Sequence, residues 1–276
     1  MIRLIQDIAP RKLYNEYQEK NISDQDFVLV FYKNHLWIKK QEKEICFPHY
    51  AEVRESLQKN SPIYLFRVNE INYFLVETME WDRKDGEFVL LPQVRGCRPK
   101  EYVFVAATAW HLYMWYRDNR FCGRCGNKTV PDNIERMLSC SHCGNCIYPK
   151  IAPAVIVAVT HKEHILLTRY ANRAYKKYAL VAGFTEIGET VEETVKREVM
   201  EEVGLRVKNI QYYKSQPWGF DSNLLLGFFC EVDGDTQIVM DQNELCLATW
   251  VHKSQVPDYG EHLSLTHEMM QVFRNS

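Results

Sequence analysis

A stretch of acidic side chains near residue 200 is the part of the sequence best suited to chemistry. Glu198, Glu201 and Glu202 stand at i, i+3 and i+4, so a helix would carry all three on one face. Thr190 opens a capping-box pattern and Gly204 fits a C-terminal cap, which predicts a helix over 190–203. Adjacent carboxylates repel one another, and a hard divalent cation such as Mg²⁺ or Mn²⁺ relieves that repulsion through oxygen ligands. The alternative interpretation is a solvated acidic stripe.

Five cysteines between residues 122 and 146 form the second candidate site. Cys122 and Cys125, followed by Cys140 and Cys143, give a C-x2-C…C-x2-C pattern with 14 residues between the pairs. Four thiolates on two tight turns provide the tetrahedral sulfur set that Zn²⁺ prefers, and they leave no open position for a catalytic water. We therefore predict one structural zinc ion per chain. Cys146 also has this spacing from Cys143, and we interpret it as a spare thiol.

The elements that must position these groups follow from the hydrophobic pattern. The first hundred residues are β-rich, with hairpins predicted at 27–38 and 63–76. A helix predicted over 101–120 is apolar nearly all round, which favours burial between domains or subunits. Later strands are predicted at 154–159, 164–170, 178–184 and 224–232. The predicted domains are a β-rich N-terminal domain (1–100), a linking helix with a zinc ribbon (101–149) and an α/β domain (150–276).

Composition excludes several classes of protein. The 276 residues are 46% hydrophobic and 25% charged, as in soluble globular proteins, and the net charge is −2. A strongly basic nucleic-acid binder is therefore not expected, although a local basic groove is compatible with this charge. The most apolar stretch, 102–116, is shorter than the roughly 20 residues that a membrane helix needs. Nine cysteines without a signal-like N-terminus indicate a cytoplasmic protein that uses thiols as metal ligands.

The acidic segment matches a known family signature. The pattern G-x5-E-x7-R-E-U-x-E-E-x-G-U of the Nudix hydrolase superfamily is filled at every fixed position, by Gly183, Glu189, Arg197, Glu198, Val199, Glu201, Glu202, Gly204 and Leu205. The resemblance implies an α/β/α sandwich with a mixed sheet, and hydrolysis of a nucleoside diphosphate linked to another group.

The same resemblance assigns roles to the acidic cluster. Glu198 and Glu202 would bind the divalent metal ion, together with Glu201 and the carbonyl of Ala182. Arg197 would orient the glutamates, and Glu189 would brace the loop or a water molecule. Downstream, Glu244 matches a further metal-binding glutamate of the family.

A zinc ribbon directly before a Nudix domain resembles the NADH pyrophosphatase family. The segment Ser215-Gln-Pro-Trp-Gly-Phe-Asp221 is similar to that family's SQPWPFP motif, with Gly219 and Asp221 in place of two prolines. Because proline restricts the backbone, we expect these two replacements to loosen the segment as a loop and to weaken its preference for NAD(H).

The family resemblance also implies a set of substrate contacts. Tyr148 and Phe184 would pack on opposite faces of the adenine ring, Glu135 would contact the substrate, and Thr266 stands where the family has a small ligand-contacting residue. The motif region would contribute Gln216, Pro217, Trp218, Gly219, Phe220, Asp221, Ser222 and Asn223.

The expected reaction is metal-dependent cleavage of NADH or NAD⁺ to AMP and (reduced) nicotinamide mononucleotide. The resemblance also implies removal of NAD caps from RNA 5′ ends, and a homodimer. Two alternatives stay open: broad activity on ADP-ribose or dinucleoside polyphosphates, and a zinc-ribbon nucleic-acid-binding sensor without catalysis.

Overall fold

The computed structural model describes residues 4–57, 60–172, 176–260 and 263–276. The two predicted hairpins lie in its N-terminal part. Lys33 and Asn34 have φ angles of 42° and 66°, the two left-handed positions of a tight turn whose twist matches the strands on either side. Both predicted hairpins are confirmed, at 27–41 and 63–77. The strands of this part are β1 (Leu13–Tyr14), β2 (Phe27–Tyr32), β3 (His35–Gln41), β4 (Glu44–Cys46), β5 (Ile63–Val68), β6 (Ile71–Glu77) and β7 (Glu87–Val89).

These strands form one mixed sheet. Its order is β1-β5-β6-β2-β3-β4, with β7 also paired to β3, and only β2 and β6 run parallel within this set of pairs. A short helix, α1 (Tyr50–Val53), follows β4. The N-terminal part is therefore β-rich, as the sequence predicted.

The predicted apolar helix is α2 (Lys100–Asp118). Its apolar side chains are already buried within the single chain; Val103, Val105 and Ala109 have no exposed surface. Burial by a second subunit is therefore not needed to explain the composition of this helix. The short ribbon strands β8 (Val130–Pro131), β9 (Leu138–Ser139) and β10 (Cys146–Ile147) follow it.

The C-terminal part is an α/β/α sandwich. Its elements are β11 (Ala152–His161), β12 (His164–Tyr170), β13 (Val181–Phe184), α3 (Val191–Val203), β14 (Val207–Trp218), β15 (Asn223–Val232), β16 (Leu245–His252) and α4 (Leu265–Arg274). The strands form a sheet of order β14-β15-β11-β12-β16, with β13 paired to β11, and β11 and β15 run parallel.

Alternation along the central strand places a helix on each face. Val155, Val157 and Val159 of β11 join the core cluster that contains the valines of α3. Gly227 lies opposite Ile156 in the register, and a Cβ there would come within 2.8 Å of Met269 in α4. The two helices therefore cover opposite faces, and the predicted fold class is confirmed.

Two sequence predictions in this part need correction. The strand predicted at 178–184 covers only Val181–Phe184, because Ala179 pairs with Thr168 in an isolated bridge instead of continuing the strand. The segment 215–221, interpreted as a loop, is largely strand: β14 runs to Trp218, and its last residues pair with β15.

The chain divides into two compact units. One contains Ile151–Trp218 and Asn223–Ser276 with the N-terminal residues up to Asp7, and the other contains Ile8–Lys150 and Gly219–Ser222. Within the described ranges, no helix combines the length and apolar character that crossing a membrane requires.

Candidate active site and zinc site

Arg197 is the centre of the acidic site. Its Nε and Nη2 atoms donate to the two carboxylate oxygens of Glu189 at 2.6 and 3.0 Å, a bidentate pair. Its Nη1 donates to Glu198 at 2.7 Å and to Glu201 at 3.0 Å, and Nη2 also reaches the carbonyl of Phe184 at 2.9 Å. One guanidinium thus fixes three carboxylates of the signature.

The start of α3 holds Glu189 in place for this pairing. The hydroxyl of Thr190 accepts from the backbone N–H of Glu193, which forms the predicted capping box. Glu189 itself accepts from the backbone N–H of Glu186 at 3.1 Å and from the hydroxyl of Thr194 at 3.0 Å. The Arg197 guanidinium, followed by these donors, lowers the pKa of Glu189 to about 2. Glu189 is therefore an ionised anchor rather than a proton acceptor.

Gly183 gives Glu198 its position. A Cβ atom at Gly183 would lie 1.9 Å from the carboxylate carbon of Glu198, so only glycine allows this carboxylate to lie against β13. Partial burial raises the pKa of Glu198, Arg197 opposes that shift, and the charges of Glu201 and Glu244 add to it. Close packing against Glu198 thus explains why the first position of the signature is glycine.

Glu202 is the most buried member of the acidic cluster. Its residue is 2% exposed, and its carboxylate accepts from the backbone N–H of Ala182 at 3.4 Å. Glu244, in contrast, is an exposed residue just before β16, and its carbonyl accepts from the backbone N–H of Ala171 at 2.8 Å. The carboxylates therefore range from buried to solvent-exposed.

The donor set fits a hard divalent cation. The glutamates that Arg197 brings together here offer carboxylate oxygens, and Mg²⁺ is typically bound by one or two carboxylates with water completing its shell. Among the described residues, only the cysteine cluster brings three or more ligand atoms (His nitrogen, Cys sulfur or carboxylate oxygen) within 4.8 Å of one another. The glutamates are spread wider, with Arg197 between Glu198 and Glu201, so a subset of them would bind one ion.

The four predicted cysteines meet in one cluster. Their Sγ atoms all lie within 4.8 Å of one another, with Cys122–Cys143 at 3.6 Å and Cys125–Cys140 at 3.4 Å. A tetrahedral zinc ion with Zn–S bonds of about 2.3 Å requires sulfur–sulfur distances of about 3.8 Å. The cluster therefore fits a structural zinc ion.

The two cysteine turns are built alike. The backbone carbonyl of Asn127 accepts from the backbone N–H of Cys122 at 2.7 Å, and that of Asn145 accepts from the backbone N–H of Cys140 at 2.9 Å. Both turns place a glycine, Gly126 or Gly144, in the left-handed region. Backbone hydrogen bonding, mainly from Arg124, lowers the pKa of Cys122 to about 6, which favours the thiolate that binds metal.

Cys146 lies outside the cluster. It is exposed, and its thiol lies 3.7 Å from the carbonyl of Gly144.

The asparagines that donate toward the sulfurs were not predicted from the sequence. Asn127 lies 3.5 Å from the Cys125 thiol, and Asn145 lies 3.5 Å from that of Cys122. Their position two residues after a cysteine in each turn is the signal that could have found them.

Two of the predicted substrate contacts meet within one unit. The hydroxyl of Tyr148 donates to the carboxylate of Glu135 at 2.8 Å, and both residues are exposed. Phe184, at the end of β13, is 53% exposed. Both predicted adenine-contacting rings thus present open surface, as a stacking platform requires.

Gln216 has a buried, fully bonded amide. It has no exposed surface, and its side chain donates to the carbonyl of Leu263 at 2.8 Å and to the side chain of Gln6 at 3.2 Å. Its oxygen accepts from the backbone N–H of Leu265 at 2.7 Å. Gln216 therefore ties β14 to the start of α4, where the half-buried Thr266 lies. Its neighbours Pro217, exposed, and Trp218, buried, complete the strand, which pairs with Asn223 and Leu224.

Gly219 has a steric role that the comparison with the family motif did not predict. A Cβ at this position would lie 2.2 Å from the carbonyl oxygen of Ala107, so the backbone approaches α2 too closely for any side chain. The next residues form a turn, with Phe220 half-buried, Asp221 exposed and Ser222 at a φ of 59°. Glycine is thus fitted to this path, because a larger residue would collide with the backbone of α2.

Comparison with known proteins identifies three consecutive regions. Family models match residues 25–122 (NADH pyrophosphatase-like rudimentary NUDIX domain), 117–148 (NADH pyrophosphatase zinc ribbon domain) and 150–271 (NUDIX domain). The NAD-capped RNA hydrolase NudC of Salmonella typhi is 42% identical over 229 residues, covering 80% of this chain and 86% of that protein. The protein of the same name from Salmonella typhimurium is 35% identical over the same coverage.

Solved structures show a more distant likeness. A NUDIX hydrolase from Nitrosomonas europaea aligns with a TM-score of 0.49 at 20% identity, covering 56% of this chain and 90% of that one. The family models and the Salmonella relatives agree with the signature helix and the four-cysteine cluster. The chain therefore belongs to the zinc-ribbon NADH pyrophosphatase family of Nudix hydrolases.

Proposed function

We propose that this protein is an NAD(H) diphosphatase that hydrolyses the diphosphate of NADH or NAD⁺ to AMP and nicotinamide mononucleotide. The observation that carries this proposal is the complete carboxylate set of α3, held by Arg197, in a chain that is 42% identical to an NAD-capped RNA hydrolase. By the same likeness, the substrates include RNA with a 5′ NAD cap. A sensor without catalysis would not need to keep all of these carboxylates.

The residues divide into anchors and ligands. Arg197 lowers the pKa of Glu189 to about 2, so Glu189 stays ionised even in moderate acid, and this pair sets the orientation of the guanidinium. Glu198, Glu202 and the Ala182 carbonyl would hold Mg²⁺ or Mn²⁺, with Glu201 and Glu244 at the exposed side. When bound by these residues, the cation would supply charge neutralisation of the diphosphate and would acidify a water for in-line attack on phosphorus.

The remaining predicted contacts would hold the dinucleotide. We assign Tyr148 and Phe184 to the adenine ring, because both rings are exposed and a purine has flat faces for stacking. Glu135, already bonded to Tyr148, would orient that ring through its hydroxyl. Gln216 acts by positioning the end of β14, since its amide is engaged with three neighbours.

We also infer a cytoplasmic homodimer from the family resemblance. The apolar surface of α2 does not support a dimer by itself, since it is buried in one chain. Light scattering at micromolar concentration should give twice the chain mass of 32.6 kDa. A mass equal to one chain would contradict the dimer without affecting the proposed reaction.

A comparison of substrates tests the proposed function. We expect kcat/KM to be highest for NADH or NAD-capped RNA, with AMP or 5′-monophosphorylated RNA as a product identified by mass. Equal or higher values with ADP-ribose or dinucleoside polyphosphates would favour the broad-range alternative. Absence of cleavage of any of them with Mg²⁺ and with Mn²⁺ would contradict the proposal.

A further inference from the structure

A cavity lies within the unit that contains the N-terminal sheet and the zinc ribbon. Its volume is about 540 Å³, and it is bounded by β5 and β6, by the C-terminal end of α2 and by the first turn and short strands of the ribbon. Sites for small ligands typically measure about 300–1,000 Å³, so this cavity is large enough for a mononucleotide. No residue of the acidic site lines it.

The charges lining this cavity favour an anion. Three cations line it, Arg117, Arg120 and Lys128, against one carboxylate, that of Glu77. Glu77 is already neutralised, because it pairs with Arg120 and accepts from the hydroxyl of Tyr113 at 3.0 Å. The side chains that line the cavity therefore present a net positive charge to a ligand.

Lys128 is the cation available to a ligand. Its residue is exposed, and its ammonium makes no hydrogen bond or ion pair with any part of the chain that the structure describes. Arg117, in contrast, is engaged with the side chains of Asp118 and Asn34. An anionic group that enters the cavity would therefore find its free partner at Lys128.

An aromatic ring stands beside this free cation. Phe121 and Lys128 are opposite partners in an isolated antiparallel bridge, so their side chains project on the same side of the ribbon. Phe121 is 58% exposed, which is unusual for so large an apolar side chain. Apolar atoms of Ile63, Leu75 and Pro131 line the cavity as well. A flat ring with a phosphate attached matches this pairing of aromatic and cationic side chains.

We propose that this cavity binds a nucleoside 5′-phosphate, with the base against Phe121 and the phosphate at Lys128. The ligand is either a free mononucleotide or one nucleotide of an RNA strand, since both present the same ring and phosphate. The proposal goes beyond the hydrolytic reaction and does not depend on it.

Calorimetric titration of the zinc-loaded protein can test this site. The probes are uridine 5′-monophosphate and a 5′-phosphorylated uridine trinucleotide, because neither carries the adenine of the proposed substrate. We expect Phe121→Ala to weaken binding by about tenfold, the size expected for the loss of one base-stacking contact. Lys128→Glu should weaken binding at least as much, because it puts a negative charge in place of the proposed partner of the phosphate. Lys84→Glu and Ile134→Ala, which change exposed residues outside the cavity, are the matched controls.

The outcomes separate the two sources of the ligand. A trinucleotide that binds about tenfold tighter than the monophosphate, and loses that advantage in both variants, identifies an RNA strand. Equal affinities that fall in both variants identify a free nucleotide. If neither probe binds at millimolar concentration, or if both variants keep full affinity with normal zinc content, the cavity is not a nucleotide site.

Discussion

At the scale of single residues, the acidic site depends on one arginine that joins three carboxylates. Arg197 pairs with Glu189 in a bidentate manner and reaches Glu198 and Glu201 with its remaining donors. Glu202 is held separately, buried against the backbone of Ala182. The arrangement separates the group that anchors the site, Glu189, from the groups that we assign to metal binding.

Glu202→Gln should leave the protein folded and lower kcat by several orders of magnitude. The amide preserves the shape of the side chain but removes the charge that we assign to binding the divalent cation. The check is steady-state hydrolysis of NADH at saturating Mg²⁺, with Glu192→Gln, an exposed residue of the same helix, as the control. Near-normal turnover by the folded Glu202 variant would remove it from the ligand set.

The stability that Glu189 contributes should disappear in acid. Its pKa is lowered from an ordinary 4.5 to about 2 by Arg197, so ionised Glu189 stabilises the folded protein above pH 4.5. That contribution decreases as the pH falls from 4.5 toward 2. The difference in free energy of unfolding between wild type and Glu189→Gln should therefore be constant from pH 7 to 5 and shrink below 4.5. A difference that does not change with pH would show that the ion pair is not its source.

At the scale of elements, the turn after β14 shows why a family motif does not transfer unchanged. The sequence predicted a loosened loop because two prolines are absent. The structure instead continues the strand to Trp218 and then places Gly219 against the carbonyl of Ala107. Replacement of Gly219 by proline should therefore damage the turn rather than improve selectivity.

Gly219→Ala should destabilise the protein by about 1–3 kcal/mol, as expected when extra atoms are forced into a packed site. The added Cβ would lie 2.2 Å from a backbone oxygen, so the turn or α2 must shift. Urea unfolding measures the effect, and Gly96→Ala is the matched control because a Cβ there meets nothing within 4 Å. Equal stability of the two variants would mean that the turn adapts freely.

The zinc ribbon permits a similarly direct comparison of cysteines. We expect about one zinc ion per chain in wild type and in Cys146→Ser, whereas Cys143→Ser should lose zinc and melt at a lower temperature. Structural zinc contributes folding free energy, and Cys146 lies outside the cluster. Elemental analysis and thermal melting are the measurements. Zinc loss in the Cys146 variant would reassign the ligands.

Patterns among neighbouring residues predicted much of the fold. The features that they did not predict depend on contacts between residues that lie far apart in the sequence. The capping box at Thr190, the hairpin at 27–38 and the cysteine spacing are local, and each was predicted from neighbouring residues. The hydrogen bonds of Gln216 to Gln6 and Leu263 could not be predicted, because these partners lie far away along the chain. The steric role of Gly219 was missed for the same reason, since its neighbour Ala107 is more than a hundred residues away.

At the scale of the whole molecule, three family regions follow one another along the chain, and each has its own chemistry. The NUDIX region carries the carboxylates, the ribbon carries the thiols, and the rudimentary NUDIX region carries no corresponding acidic signature. The net charge of −2 means that any contact with RNA must depend on a local group of cations rather than on overall attraction. Arg117, Arg120 and Lys128, which line the cavity of the N-terminal unit, form such a group.

The proposed reaction is metal-dependent attack of water on the diphosphate of NAD(H). Its most direct test is hydrolysis of NADH in H₂¹⁸O with Mg²⁺ or Mn²⁺, followed by mass analysis of both products. We predict AMP and reduced nicotinamide mononucleotide, with one ¹⁸O atom in the phosphate of one of them and no cleavage when the metal is removed. Release of free nicotinamide, or products without ¹⁸O in either phosphate, would rule out this reaction.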